Sequence, residues 1–458
     1  IETSDDGNDP LTMTLKVQKG KLTVKDDVPG GLSPSQISGN GTGMVTLTGS
    51  EDEINKTLAD PQGLTYTPNA GVIGEDTLSV ETSDGAVKDT DTVPIKINDT
   101  TKPAGTALIN NGDEYTTQPK AIEVLLDLTD NSIAQGLAVI DDLKIDIAIN
   151  STTNFTGTFQ SIGSLIASGH AQRVAGEPTK ILLKKFIHNG NDILDLNAFN
   201  GTNFINIKVR DSAAGSGNTL SFIFDSIIID TNRPTVDLVI NNNSSITNDR
   251  NVILNLTNLA DNLTALLDLE IRTAINGFNY GSFEKVSDLI ASGDATLVSG
   301  TAIDLKAVLP NFNGANFVNV QSKDKAGLIS SFAFDGINLD TKGSVSTVTI
   351  KNGAVSTNFR TVKLALTAVN QFTPTNDIMV KYAINSTLPS AYTSYMPFQS
   401  VFDITLPNFE GTNYINFIFK DLLGNESFAF DSIVYKTPVL KINNGALITN
   451  SPNVTLSF

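Results

Sequence analysis

The chain has 458 residues, more than one β-sandwich holds, and a net charge of −18, which argues against nucleic acid, whose phosphates are met by clustered Lys and Arg. It has no Cys, so disulfides and thiolate metal sites are excluded, and no apolar run of about 18 residues that would cross a bilayer as a helix. The 35 Gly, the 17 Pro and the abundance of Asn and Thr favour turns and strands over helices.

In chain order, the first 99 residues read as short strands: Thr12-Met-Thr-Leu-Lys-Val17, Gly20-Lys-Leu-Thr23, Gly43-Met-Val-Thr-Leu-Thr-Gly49, Leu64-Thr-Tyr-Thr-Pro-Asn69, Gly74-Glu-Asp-Thr-Leu-Ser-Val80 and Asp89-Thr-Asp-Thr-Val-Pro-Ile-Lys-Ile97. Gly39-Asn-Gly-Thr-Gly43 precedes a strand rather than a helix and lacks a following Lys, so it reads as a hairpin and not as a phosphate loop. Between the strands, Ser50 with Glu53 forms a capping-box signature, and Ile54 and Leu58 share one helical face, which predicts a helix over 50–59.

The remainder repeats one frame. Phe199-Asn-Gly-Thr-Asn-Phe-Ile-Asn-Ile-Lys-Val-Arg-Asp211 returns as Phe312-Asn-Gly-Ala-Asn-Phe-Val-Asn-Val-Gln-Ser-Lys-Asp324 and as Phe409-Glu-Gly-Thr-Asn-Tyr-Ile-Asn-Phe-Ile-Phe-Lys-Asp421. The copies stand roughly 100 residues apart, the size of a small β domain and not of a solenoid unit. Each is preceded by an opening strand ending in Ile109-Asn-Asn-Gly112, Ile240-Asn-Asn-Asn243 or Ile350-Lys-Asn-Gly353, and a fourth opening, Ile442-Asn-Asn-Gly445, follows the last copy. Closing strands follow at Phe222-Ile-Phe-Asp-Ser-Ile-Ile-Ile229, Phe332-Ala-Phe-Asp-Gly-Ile-Asn-Leu339 and Phe428-Ala-Phe-Asp-Ser-Ile-Val-Tyr435. Ile205-Asn-Ile-Lys-Val209 alternates with period 2 and predicts one buried and one wet face, while Phe222-Ile-Phe reads as a fully buried run. Helical turns are expected within 157–168 and 282–292, which share Leu-Ile-Ala-Ser-Gly. The chain starts at Ile1 without a signal peptide and stops at Phe458 within an expected strand, so it reads as a stretch of a longer polypeptide.

Residues 1–99 resemble the cadherin-like tandem domain of large bacterial surface adhesins, on Leu64-Thr-Tyr-Thr-Pro-Asn69 together with Ser83-Asp-Gly85 and Asp89-Thr-Asp-Thr-Val93. Residues 100–436 resemble bacterial Ig-like domains of the same kind of protein, on the Arg/Lys-Asp…Gly turn and the closing Asp-Thr. The expected architecture is all-β, a tandem array of Ig-like and cadherin-like β-sandwiches forming an extended rod. The expected domains are 1–99 (cadherin-like), 100–232, 233–342 and 343–436 (Ig-like), and 437–458 as the start of a further one. The resemblance implies an extracellular stalk segment of a cell-surface adhesin that meets a surface receptor or glycan through regions outside this stretch. The alternative is a subunit of a self-assembling surface filament, sheath or surface layer.

The resemblance also implies Ca2+ at an end of the first domain, with Asp5, Asp6, Asp9, Asp84, Asp89, Asp91 and Asp99 as candidate ligands. Calcium needs about six to eight oxygens from flexible loops; the competing reading is that these carboxylates cap turns by accepting from nearby backbone. Asp211, Asp324 and Asp421 recur before a hairpin and read as Asx turns or as partners of Arg210, Lys323 and Lys420, in preference to a metal role. Asp225, Asp335 and Asp431 interrupt apolar closing strands, which demands a bulge or a partnered edge. Asp230 and Asp340 precede junctions where the next copy has Lys436, which argues against a calcium clamp at every linker. Pro103, Pro234 and Pro438 limit bending there.

Enzyme readings are poor. The two His, His170 and His188, recur in no other copy and have no metal-ligand spacing, and no Gly-x-Ser-x-Gly elbow occurs. Tyr392, Tyr395, Phe398 and Phe402 suggest either a sugar-stacking row or core, with core favoured. Asn-x-Ser/Thr triplets, including Asn55, Asn150, Asn154, Asn255, Asn262 and Asn385, are expected often in a chain this rich in Asn and Thr.

Overall fold

Period 2 in the sequence becomes period 2 in burial. Thr361–Val369 alternates exposed and buried along its whole length, and Leu11–Lys16 sends Leu11, Met13 and Leu15 into a core. The computed structural model describes residues 1–4, 10–136, 139–197, 199–212 and 217–457, and divides into two units, 1–231 and 232–458, each built from β-sandwiches with separate apolar cores.

In the first unit, residues 11–97 form a five-stranded antiparallel sheet in the order Ile37–Ser38, Met44–Gly49, Leu11–Lys16, Gly74–Ser83, Lys88–Ile97, with Gly20–Val24 pairing Leu64–Pro68 in a second sheet. The predicted helix spans Glu51–Ala59. The Ser50 side chain accepts from Glu53 N, and the Glu53 carboxylate accepts from Ser50 N at 3.0 Å. Ile54 and Thr57 seal one end of the core. Asp76 is 6% exposed and accepts from Lys19 N (2.8 Å), Thr77 N (2.8 Å), Gln18 N (3.2 Å) and the Tyr66 hydroxyl (2.9 Å). Burial opposes its ionisation, yet those four donors outweigh burial and hold its carboxyl below the usual value.

The repeated frame folds the same way each time. In residues 104–229 one sheet runs Ala171–Arg173, Lys180–Leu183, Val124–Thr129, Ala104–Ile109. The other runs Gln160–Ser161, Lys144–Ile149, Gly201–Arg210, Thr219–Ile229, Tyr115–Thr116, and one core lies between them. Residues 235–339 in the second unit repeat this arrangement, and residues 345–435 repeat it with three strands in the first sheet, each around its own core. The predicted helical turns appear as Ile162–Ala167 and Val286–Ser292.

The Asn-Asn-Gly string has a backbone cause. Asn110, Asn111 and Gly112 have φ of 45°, 59° and 91°, and Asn443, Asn444 and Gly445 have 49°, 53° and 87°. Three successive left-handed residues favour Asn and Gly, which tolerate that region, although Lys351 takes the first place in the third copy with φ of 45°. The turn lets the opening strand leave one sheet and enter the other, where Tyr115–Thr116 pairs in parallel with Ile228–Ile229. At that crossing, Asp225, Asp335 and Asp431 face inward from the closing strands. Each accepts the backbone N–H of the last opening-strand residue, from Ile109 at 2.7 Å, Ile240 at 2.8 Å and Ile350 at 2.8 Å. The opening strands lie at sheet edges, so the carboxylate supplies an acceptor that the ladder does not and ties one sheet to the other.

The Gly-x-Asn-Phe/Tyr motif is a buried amide clamp. Asn203, Asn316 and Asn413 are at most 1% exposed, and each accepts from the Nδ2 of Asn150, Asn276 or Asn385 at 2.9 Å. The second Asn of each pair in turn accepts from Phe204 N, Phe317 N or Tyr414 N at 2.8 Å.

Two sequence expectations are corrected. Phe222-Ile-Phe is not fully buried: with Asp225 and Ile227 facing inward, alternation forces Phe224 outward, where it is 59% exposed. The polar face of Ile205–Val209 is not simply wet. Lys208 lies 4.1 Å over the Phe155 ring and Arg210 4.0 Å over Phe159, so the 150–159 loop roofs that face through cation–π contacts.

Replacing Asp335 by Ala is expected to leave the Ile240 N–H unpaired and to destabilise the 235–339 sandwich by about 1–3 kcal/mol, read as a lower urea midpoint with an unchanged slope. Acid should loosen the first sandwich. The contribution of Asp76 is complete above its unfolded value near pH 4 and disappears as pH falls through its lower folded value. Hydrogen-exchange protection of the Lys19 and Thr77 amides is therefore expected to drop over that window, and Asp76→Asn to show a flatter pH response.

Candidate metal centre

The strand Val124–Thr129 ends at Asp130, which caps the helical turn Asn131–Ala134. Its Oδ2 accepts from Ser132 N at 3.0 Å and from the Ser132 hydroxyl. Its other oxygen, Oδ1, is buried and has no hydrogen-bond partner, although the residue is only 6% exposed. Carboxylates from Asp99 and Asp211 meet it, with one oxygen of each of the three residues within 4.8 Å of the others. Burial pushes the Asp130 carboxyl above the usual range, and the neighbouring carboxylates of Asp99 and Asp211 push it further, against the pull of the Ser132 donors.

The surrounding frame is made. Asn218 Nδ2 donates to Asp211 Oδ2 at 2.8 Å and to the Asp99 carbonyl at 3.1 Å, and Asn218 N donates to Asp211 Oδ1 at 2.7 Å. Thr101 N donates to Asp99 Oδ1 at 2.9 Å. Asn131 adds a second buried Oδ1 with no hydrogen-bond partner, and its Nδ2 donates to Thr101. Four residues on, at the end of the helical turn, Gln135 accepts from Ile73 N and donates to Gly71 O, joining this end of the 104–229 sandwich to the first sandwich. The donor set is all hard oxygen, it includes an orphaned buried oxygen, and no His or Cys stands in it. That fits a hard divalent cation such as Ca2+.

Of the residues singled out from sequence, Asp99 belongs to this centre. Asp5, Asp6 and Asp9 lie outside the described residues. Asp84 Oδ1 accepts from Ala86 N and Val87 N, both at 2.7 Å, so it closes the hairpin between Gly74–Ser83 and Lys88–Ile97. Those donors hold its carboxyl below the usual value. Asp89 and Asp91 are exposed on the edge strand, opposite Thr82 and Val80. Among the described residues, Asp84, Asp89 and Asp91 join no group of three carboxylates. Asp130 was not singled out in the sequence, and Asp211 was, but as a turn former in preference to a metal ligand. The available signal was the recurrence of Asp130, Asp261 and Asn370 just past the second long strand of each repeat. The Asx-turn reading holds for Asp421, whose Oδ1 accepts from Leu423 N at 3.0 Å, whereas Asp211 accepts from Asn218 N, just before the returning strand; Arg210 and Lys420 turn to the rings of Phe159 and Tyr395.

Other candidates resolve into packing. Phe398 and Phe402 pack against the core, and Tyr392 and Tyr395 sit under Lys381, the counterpart of the Phe155–Phe159 roof. Asn150 and Asn385 commit their side-chain nitrogens to the buried clamp, and Asn55 and Asn255 donate to Thr3 O and Asp304. His188 contacts the Asn189 amide. A feature missed in the sequence is the outward aromatic pair on each repeat: Phe204 with Phe224, Phe317 with Phe334, Tyr414 with Phe430, all 43–65% exposed. Around Phe317 these rings, with Phe278, Phe312 and Phe332, line an open depression of about 690 Å³.

No protein-family description matches the chain, and no curated protein matches it. Among solved structures it is similar to a Ca2+-stabilised adhesin with which an Antarctic bacterium reaches out and binds ice. The identity there is 14%, with 95% of this chain and 92% of that one covered and a TM-score of 0.37. It is also similar to part of a 1.5-MDa bacterial ice-binding adhesin (12% identity, 74% and 98% covered, TM-score 0.33) and to the ICAM-5 D1–D4 ectodomain (10%, 94% and 96%, 0.33).

Proposed function

We propose that this chain is a non-catalytic segment of a repetitive extracellular adhesin stalk. Its sandwiches give reach, and bound Ca2+ stiffens the joint at residue 99. The observation that carries this reading is the Asp99–Asp130–Asp211 centre, where a buried carboxylate oxygen without a hydrogen bond faces two further carboxylates. Like charges packed this way repel, and a desolvated carboxylate is costly without a partner. A divalent cation would be held by these three side chains and would supply the missing positive charge. Because Asp99 belongs to the linker, Asp130 to the end of a strand and Asp211 to a hairpin, holding them together restrains the linker against the sandwich that follows it. Candidate ligands in Asp5, Asp6, Asp9, Asp84, Asp89 and Asp91 remain part of the same proposal for the first sandwich. The segment positions a binding region lying elsewhere, so its receptor or glycan is met outside this stretch.

The full chain is expected to bind Ca2+ and to melt at a higher temperature in calcium than in chelator. At a free concentration about 100 times Kd the added stability is about 2.7 kcal/mol for one site. Asp130→Asn is expected to remove one bound ion and, in chelator, to melt above the native chain, because an unpaired buried charge has gone. Equal melting with and without calcium, and no bound ion by equilibrium dialysis, would falsify the calcium reading.

A further inference from the structure

The second unit rebuilds the hydrogen-bond frame of the Asp130 centre with an amide in place of its buried carboxylate, and with Asp340 Oδ2 as its own buried oxygen without a hydrogen bond. At residue 340, Asn425 stands where Asn218 stands: its Nδ2 donates to Asp421 Oδ2 at 3.0 Å and to the Asp340 carbonyl at 2.9 Å, and its N donates to Asp421 Oδ1 at 2.8 Å. Lys342 N donates to Asp340 Oδ1 at 3.2 Å, as Thr101 N does to Asp99. Past the strand Thr361–Val369, the place of Asp130 is taken by Asn370. The Asn370 Oδ1 accepts from Phe372 N (2.8 Å) and Thr373 N (2.9 Å).

Those two donors fix the amide. Flipping it would set an NH2 group against two N–H groups, so Oδ1 must stay on the turn and Nδ2 must face the junction. Asp261 makes the same turn with a carboxylate: Oδ2 accepts from Leu263 N and Thr264 N, both at 2.8 Å, and Oδ1 is left without a hydrogen bond. In Asn370 the corresponding atom is a donor. Nδ2 reaches Asp421 Oδ2 at 3.3 Å and the Lys342 carbonyl at 3.4 Å. It thus bonds a carboxylate and the linker backbone, two groups of the kind a cation would draw together, and it cannot itself ligate a cation. Backbone packing closes the same joint: a Cβ on Gly343 would lie 2.6 Å from the Glu426 carbonyl carbon.

We propose that the joints of this chain differ in their need for metal, an inference that rests on the calcium reading of the Asp130 centre. The joint at residue 99 is closed by a divalent cation. The joint at residue 340 is closed by the Asn370 amide, which stands in for the cation and keeps that joint ordered without it. Ligand charge count tunes calcium affinity, and exchanging one carboxylate for an inward N–H removes both a charge and a ligand. Loss of calcium would then slacken one joint of the stalk and spare another.

Hydrogen exchange on the full chain, in calcium and in chelator, reads each joint separately. In the native chain, amide protection in 130–135 is expected to fall about ten-fold or more in chelator, while 370–373 and 421–425 change by less than about two-fold. Asn370→Asp is expected to bind one more Ca2+ than the native chain and to make 370–373 calcium-dependent. Asp130→Asn, which turns the first joint into a copy of the second, is expected to bind one fewer and to leave 130–135 insensitive to chelator. The inference is overturned, with the calcium reading intact, if 370–373 in the native chain loosens in chelator as 130–135 does. It is equally overturned if Asn370→Asp gains neither an ion nor calcium dependence while 130–135 still responds. If no segment of the native chain responds and no ion binds, both readings fall together.

Discussion

A carboxylate taken out of water must be met by something, and the placement of buried acids organises this chain. Two solutions recur. Backbone donors meet Asp76 from three sides, with the Tyr66 hydroxyl as a fourth donor, and meet Asp225, Asp335 and Asp431 at the sheet crossing. Side-chain amides meet Asp211 and Asp421 through Asn218 and Asn425. Asp130 Oδ1 is met by neither and faces two further carboxylates, and that combination marks the candidate metal centre. Most acidic residues in such a chain are surface charge or turn caps, and only the balance of donors against acceptors separates the exceptions.

Much of the fold was legible because its causes are local. Period-2 alternation gave the strands, Ser50 with Glu53 gave the helix Glu51–Ala59, and the spacing of Gly201, Gly314 and Gly411 gave the repeat of sandwiches. The Asn-Asn-Gly strings were visible as a mark but not as a mechanism, since nothing local says that three left-handed residues pass a strand between sheets. The outward turn of Phe224 was misread for a related reason. An apolar run does not show its phase, which Asp225 sets by facing a backbone N–H more than 100 residues earlier in the chain.

The candidate metal centre was harder to read because its members come from the linker, a strand end and a hairpin. Sequence clustering drew attention to Asp84, Asp89 and Asp91, which lie near one another in the chain. Antiparallel geometry sends Asp84 to the hairpin tip and leaves Asp89 and Asp91 on an exposed edge strand. Asp99, Asp130 and Asp211 are far apart in sequence, and the separate recurrence of each position carried more information than their local density did.

Repetition with small changes is what gives such a chain different properties along its length. The clamp of Asn203 with Asn150 and the stitch of Asp225 to Ile109 are kept in every copy, because each fixes how the two sheets of one sandwich meet. The position of Asp130 is not held in that way. It lies where a sandwich meets the linker before it, and Asp and Asn cap the following turn equally well through one oxygen. The second atom is therefore free to vary without harm to the fold. A carboxylate oxygen there calls for a cation, and an amide nitrogen supplies its own donor. On the calcium reading proposed above, a single-atom difference at that position decides whether a joint answers to its ionic surroundings.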